Sequence, residues 1–329
     1  MRHARSGVRR LRNVASALLL STAFLAPAAA QARRPDAPAD RRDDTMQHLM
    51  DDFAAHHRGK VSLYAKDLRT GQTVAIDPDQ PVNTASVIKV AIMLEAMYQV
   101  KAGTLSFDDT LTLHKDDQVS GSGVLLLFQT PASIGFETAI VLMITQSDNT
   151  AANLVLAHVG RERVNARLRS LGFPVTTSIR PIGHPDQGDQ RPELKPFGIG
   201  RTTAREMAGI LESIQRCDLG DRTLCGRMID IMEHQFWRNG IPHYLEDSDT
   251  TDVASHVANK TGSLDHVRND VGIVFTKDGP IVISAFTYDN ADTSWTPENE
   301  GELLIARMAK TIVTGWAPHG LGREQRPQR

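Results

Sequence analysis

The chain has 329 residues, 40% of them hydrophobic and 23% charged, with a formal charge of −2 at pH 7. That length supports one large domain or two closely packed halves around a sizeable core. The acidic balance of about −7 that remains without the basic first 32 residues speaks against a nucleic-acid partner, and beyond the N-terminus no segment approaches the roughly 18 uninterrupted apolar residues that cross a bilayer.

The first residues, "MRHARSGVRRLRN", carry five arginines and no acid, and a thirteen-residue apolar run, "VASALLLSTAFLA", follows them. Small residues come next in "PAAAQA", so residues 1–32 read as a secretory signal peptide cut after Ala30 or Ala32. Cleavage there leaves a formal charge of about −7 and no membrane anchor, and places the mature protein in the periplasm or the medium. Residues 33–44, "RRPDAPADRRDD", lack apolar periodicity and read as a disordered leader.

From Thr45 a helix places Leu49, Met50 and Phe53 on one face. "KVSLYAKDLRTGQTVAID" alternates apolar and polar residues on either side of a turn at 69–71, which predicts two strands. "TASVIKVAIMLEAM", residues 84–97, is an apolar helix that opens with Ser86 and Lys89. Short mixed segments and the loop "SGSG" at 120–123 lead to three helices separated by "SDN" at 147–149 and by Gly160, the last stopped by Gly172. Residues 173–201 hold five prolines and form a long irregular loop, a length that is usually functional in a compact domain. Two more helices, "TAREMAGILESIQ" and "GRMIDIMEHQFW", precede strands in "SHVANKTG", "DVGIVFTKDG" and "PIVISAFTYD". A helix over "EGELLIARMAKTIV" and a disordered polar tail, 317–329, end the chain.

The simplest packing joins the first and last strands in one antiparallel sheet flanked by helices, residues 45–85 and 256–316, with a separate helical lobe over 86–255. The only cysteines, Cys217 and Cys225, leave two readings open: a local disulfide suited to an exported protein, or two reduced thiols. No H-E-x-x-H occurs and the histidines are scattered, so neither metal nor cofactor is expected.

Three short motifs occur in order: S-x-x-K at Ser86–Lys89, S-D-N at Ser147–Asn149 and K-T-G at Lys260–Gly262. In this order and context the sequence resembles the class A serine β-lactamases and related penicillin-recognising serine hydrolases. The resemblance covers roughly residues 45–316 and implies a two-lobed α/β fold with the site between sheet and helical lobe. Ser86 is the expected nucleophile, and Lys89, on the same helical face and depressed in pKa by burial, its activating base. The resemblance further implies that Ser147 relays a proton to the leaving nitrogen and that Asn149 binds the substrate's side-chain amide. Asp148 would hold its turn through backbone N–H groups. Lys260, Thr261 and Ser263 would receive a substrate carboxylate, Gly262 would permit close approach, and the backbone N–H groups of Ser86 and Ser263 would form an oxyanion hole. Arg268 either reinforces that carboxylate anchor or pairs with Asp265 or Asp270.

Family enzymes hydrolyse the acyl-serine with a loop glutamate in an E-P-E-L-N motif. "RPELK", residues 191–195, puts Arg191 at that glutamate and Lys195 at the asparagine, which leaves Glu193 as the candidate base, with Asp186 and Asp189 on the same loop as alternatives. The expected function is therefore an exported, monomeric hydrolase of small β-lactams. Its alternative is a penicillin-binding peptidase acting on peptidoglycan-like acyl substrates with slow deacylation. Ser122 is either a substrate contact or part of a flexible turn.

Overall fold

A computed structural model describes Met1 and residues 38–246 and 255–322. The segment read as a signal peptide, the first part of the leader and residues 323–329 lie outside the described residues, Met1 excepted. In chain order the main elements are β1 (Arg41–Arg42), α1 (Asp44–Ala55), β2 (Lys60–Asp67), β3 (Gln72–Ile76), β4 (Val82–Asn83) and α2 (Lys89–Lys101). They continue with β5 (Thr110–Leu113), β6 (Ala132–Gly135), α3 (Phe136–Thr145), α4 (Asn149–Val159), α5 (Arg161–Ser170), β7 (Thr177–Ser178) and β8 (Gly200–Thr202). The last are α6 (Ala204–Arg216), α7 (Arg222–Glu233), β9 (Val257–Leu264), β10 (Val267–Val274), β11 (Ile281–Tyr288) and α8 (Glu300–Trp316).

The main sheet runs β1-β3-β2-β11-β10-β9, so the strands before and after the helical region do join. Five of its strands are antiparallel, but β1 adds to β3 in parallel, which makes the sheet mixed. The leader is therefore ordered from residue 38, against expectation. Its charges find partners: Asp40 accepts from Tyr64 Oη at 2.9 Å and pairs with buried Lys66 at 3.0 Å. Asp43 caps α1 through Met46 N and accepts from Trp316 Nε1. The tail, too, is ordered to residue 322, where Leu321 bridges Thr276 and Lys277 N donates to Gly320 O.

Period-two alternation sorts the strand residues between two cores. In β11, Ile281, Ile283 and Ala285 face α1 and α8, together with Met50, Leu63, Ile305, Met308 and Trp316. Val282 and Phe286 face the helices, in one cluster with α2, α3, α4, α6 and α7. The helical lobe thus shares its core with the inner face of the sheet. At its centre α2 has ten of thirteen residues buried, as expected of a helix apolar on nearly every face. Helix α7 starts at Arg222, four residues before the expected Gly226, because Asp221 caps it through Thr223 N and Leu224 N. Cys217, at the end of α6, and Cys225, in the first turn of α7, form a disulfide.

Candidate active site

Ser86 lies in a 3₁₀ turn, Ala85–Ile88, that runs directly into α2. In a 3₁₀ turn residues three apart eclipse, which aligns Ser86 with Lys89. Of residues 84–90 only Ser86 is open to solvent. Ala85 is held in the left-handed region at φ 43°, a strained conformation for a residue with a Cβ. Asn269 on β10 braces the same turn, donating to Asn83 O at 3.0 Å and Thr84 O at 3.2 Å. Gly262, opposite Asn269 in the ladder, makes the approach sterically feasible. A Cβ there would sit 2.7 Å from Thr84 O and 2.9 Å from Ser86 N. The close contact that this glycine permits is therefore with the protein's own turn at Thr84–Ser86.

Lys89 is fully buried, and its Nζ reaches Ser147 O at 2.6 Å, Asn149 Oδ1 at 2.9 Å and Ser147 Oγ at 3.2 Å. Burial drives its pKa well below the ordinary lysine value; the nearby Lys260 charge adds to this and Asp148 opposes it. A neutral amine has two N–H groups and one lone pair. The two carbonyl oxygens can only accept, so they take the N–H groups, and the Ser147 hydroxyl is the one partner able to donate to the lone pair. Ser147 Oγ also accepts from Lys260 Nζ at 3.1 Å. The hydroxyl of Ser147, itself at φ 53°, therefore links the two lysines.

Lys260 on β9 is fully buried and donates to Thr261 O at 2.7 Å. Burial pushes its pKa down to about 7, against the pull of Asp270. Asp270 is pushed up to about 7 by burial, although it accepts from Asn259 Nδ2 and Ile241 N. Asp148 caps α4 through Ala151 N and holds the adjoining loop through Val124 N and Leu125 N. A Cβ on Gly123 would lie 2.2 Å from the Asp148 side chain, so this loop packs too closely for any larger residue. Ser122 Oγ donates to Ser147 O at 2.7 Å, and Asn149 Nδ2 donates to Ser120 O.

Above these groups opens a cleft of about 720 Å³. Ser86, Ser122, Ser147, Asn149, Thr261, Gly262 and Ser263 all line it, so the three motifs converge on one cavity. The loop carboxylates do not join them. Glu193 sits on a 3₁₀ turn over Pro192–Phe197, its side chain is 61% exposed, and its nearest cation is Arg191 at 3.8 Å. Arg191 in turn is bonded to Asp189. None of Asp186, Asp189, Arg191, Glu193 and Lys195 lines the cleft, which corrects the register read from "RPELK".

The loop lines the cleft with Arg180, Ile182, Gly198 and Ile199. Asn153 on α4 grips the main chain of Ile182 twice, with Asn153 Nδ2 donating to Ile182 O at 2.8 Å and Ile182 N donating to Asn153 Oδ1 at 2.9 Å. Ile182, Ile199 and Arg180 line the cleft and also a small void against Lys89. Nothing in the sequence pattern singled out Ile182 or Asn153; only the pairing across the chain reveals them. Arg268 is likewise corrected: it is 1% exposed and faces Glu302 of α8 at 3.4 Å, not Asp265 or Asp270. Among the described residues no group of three or more His, Cys, Asp or Glu is placed to hold a metal ion.

A mixed sheet backed by a helical lobe, with two serines opening onto the crevice between them and two buried lysines bonded to one of those serines, defines a serine hydrolase of the penicillin-recognising type. The model of the beta-lactamase enzyme family matches residues 43–316, and the chain belongs to that family. It is 27% identical to a β-lactamase of Bacillus licheniformis, over 92% of this chain and 95% of that one. A β-lactamase from Sphaerobacter thermophilus superposes with a TM-score of 0.71 at 25% identity, covering 83% of this chain and 97% of that one. The structure of PBP-A superposes with a TM-score of 0.73 at 23% identity, covering 85% and 98%, and a mutant of it is described as an acyl-enzyme complex with penicillin G.

Proposed function

We propose that this protein is a penicillin-binding serine acyl enzyme: β-lactams and related amides acylate Ser86 readily, and the acyl-enzyme is hydrolysed slowly. The observation that carries this reading is Ile182. The cleft is lined by Ser86, Ser147, Thr261 and Ser263, with Lys89 and Lys260 buried against Ser147, whereas the loop wall against Lys89 presents Ile182, Ile199 and Arg180 and no carboxylate. The reading of an efficient class A β-lactamase with Glu193 as base is less well supported, because that side chain points to solvent beside Arg191.

In the proposed sequence, neutral Lys89 takes the Ser86 proton while Ser86 Oγ attacks the carbonyl carbon. The oxyanion is received by the backbone N–H groups of Ser86 and Ser263, donors worth roughly 3–4 kcal/mol each in such sites. As the C–N bond breaks, Ser147 gives its proton to the leaving nitrogen and recovers one from the Lys89 ammonium, so in net one proton passes from Ser86 to the leaving nitrogen and both Lys89 and Ser147 are restored. Lys260 holds Ser147 in place, 3.1 Å away. Asn149 and Thr261 bind polar groups of the substrate on either side. The basic and apolar N-terminus, with the Cys217–Cys225 disulfide, favours an exported protein.

Mixing the purified protein with excess chromogenic cephalosporin tests the reading. A burst of about one equivalent followed by a slow phase is expected, and Ser86→Ala should abolish the burst. Sustained fast turnover without a burst would reject slow deacylation.

A further inference from the structure

The wall of the cleft beyond Thr261 and Ser263 carries a charge arrangement that the acylation chemistry does not use. Glu302, in the first turn of α8, lines the cleft together with Leu264, Trp295 and Pro297. Its Oε1 faces Arg268 Nε at 3.4 Å. Arg268 is otherwise committed to the protein: Nη1 donates to the carbonyl oxygens of Leu264 and Val267, and Nη2 to Ser294 O. The Trp295 ring, 67% exposed, covers the guanidinium with its centroid 4.6 Å away. A guanidinium has five N–H groups, and four of these are directed at protein acceptors.

On the reading of the cleft as an acyl-enzyme site, the leaving group of the amide lies at this end, because Thr261 and Ser263 bind it. A ligand carboxylate placed there meets a guanidinium already neutralised and the carboxylate of Glu302 itself. Arg268 stands opposite Ser263 in the ladder, so a carboxylate held at Ser263 approaches the Arg268–Glu302 pair, and like charges in a partly desolvated cleft repel. A capped group meets instead an apolar wall of Leu264, Trp295 and Pro297.

We propose that Glu302 is a specificity-determining residue, which disfavours free carboxylates at the leaving-group end of the cleft without excluding them and favours acyl donors whose leaving group is capped. The preferred substrate class is then an internal amide or an ester-like donor over a chain ending in a free α-carboxylate. Glu302 acts in two ways: it occupies Arg268, and it presents its own negative charge.

The test compares the rates at which benzylpenicillin and its methyl ester acylate Ser86, followed by intact-protein mass. In the parent protein the ester should react at least as fast as the free acid. Glu302→Gln, which keeps the side-chain size, should lower the ester-to-acid rate ratio about tenfold or more. Glu302→Asp, which keeps the charge, should retain the parent's preference; a merely structural role would not separate these two variants. A parent preference of tenfold or more for the free acid would overturn the proposal, as would a ratio in Glu302→Gln within twofold of the parent's.

Failure of both drugs to acylate Ser86 would sink the acyl-enzyme reading but still leave the selection measurable. In that case the fluorescence of the cleft tryptophans, Trp237 and Trp295, reports binding of N-phenylacetylglycine and of its amide. Tighter binding of the amide, with the preference lost in Glu302→Gln, upholds the proposal; tighter binding of the acid overturns it.

Discussion

Replacing Ile182 with glutamate should convert a slow acyl enzyme into a faster hydrolase. Asn153 holds residue 182 through its main-chain N–H and C=O, so the substitution leaves that anchor intact. Ile182 is only half-buried, so a carboxylate there keeps part of its hydration. Even a rise of about one unit from the usual glutamate pKa of about 4.3 leaves it almost wholly ionised at pH 7. It would then stand across the small void from Lys89, in the wall of the cleft that Ser86 also lines, able to take a proton from an attacking water. Positioned general bases contribute about 10²- to 10⁴-fold. The benzylpenicillin acyl-enzyme, formed in a single turnover and freed of excess drug, should therefore lose its adduct at least about 100-fold faster in Ile182→Glu than in the parent. Ile182→Gln, of similar size but without a base, should not. An adduct lifetime within threefold of the parent's in a folded Ile182→Glu variant would refute the argument that the loop wall limits deacylation.

Three further outcomes follow from the same geometry. Lys260 is charged below about pH 7 and loses its proton as the pH rises through that value, so the acylation rate should fall on the alkaline side with an apparent pKa near 7. Lys260→Arg, whose charge persists, should lack this limb, and a limb shared by both proteins would assign the titration elsewhere. Gly262→Ala places a methyl group 2.7 Å from Thr84 O and 2.9 Å from Ser86 N. It should destabilise the fold by about 1–3 kcal/mol, seen as a lower denaturant midpoint, and suppress Ser86 labelling; unchanged labelling would show that the turn can move aside. Cys217→Ser combined with Cys225→Ser should lower stability by about 2 kcal/mol, as expected for a short closed loop, while Ser86 still acylates. A denaturant midpoint indistinguishable from the parent's would contradict that value.

Much of this architecture was legible in the amino-acid sequence because its signals are local. Strands β2 and β3 announce themselves by alternation around a turn, and the apolar run of α2 marks a helix buried on nearly every face. The three motifs were legible for a related reason: each is a short unit whose neighbours fix it on a helix start, a helix junction or a strand. What escaped was set by contacts distant in sequence. The leader looks disordered by composition, yet Tyr64, Lys66 and the edge of β3 satisfy its charges and backbone. The long loop has no periodicity, and its register against the site depends on Asn153, so the match to "RPELK" pointed at the wrong segment. Arg268 found its carboxylate on α8, a partner that spacing within its own hairpin could not reveal.

The most direct test of the central claim is intact-protein mass against time after mixing the mature protein with excess benzylpenicillin, beside a Ser86→Ala control. A single covalent adduct that forms quickly, maps to Ser86, and persists long after free drug is removed is the predicted result. Rapid disappearance of the drug with no lasting adduct, or an adduct that also forms on Ser86→Ala, would contradict it.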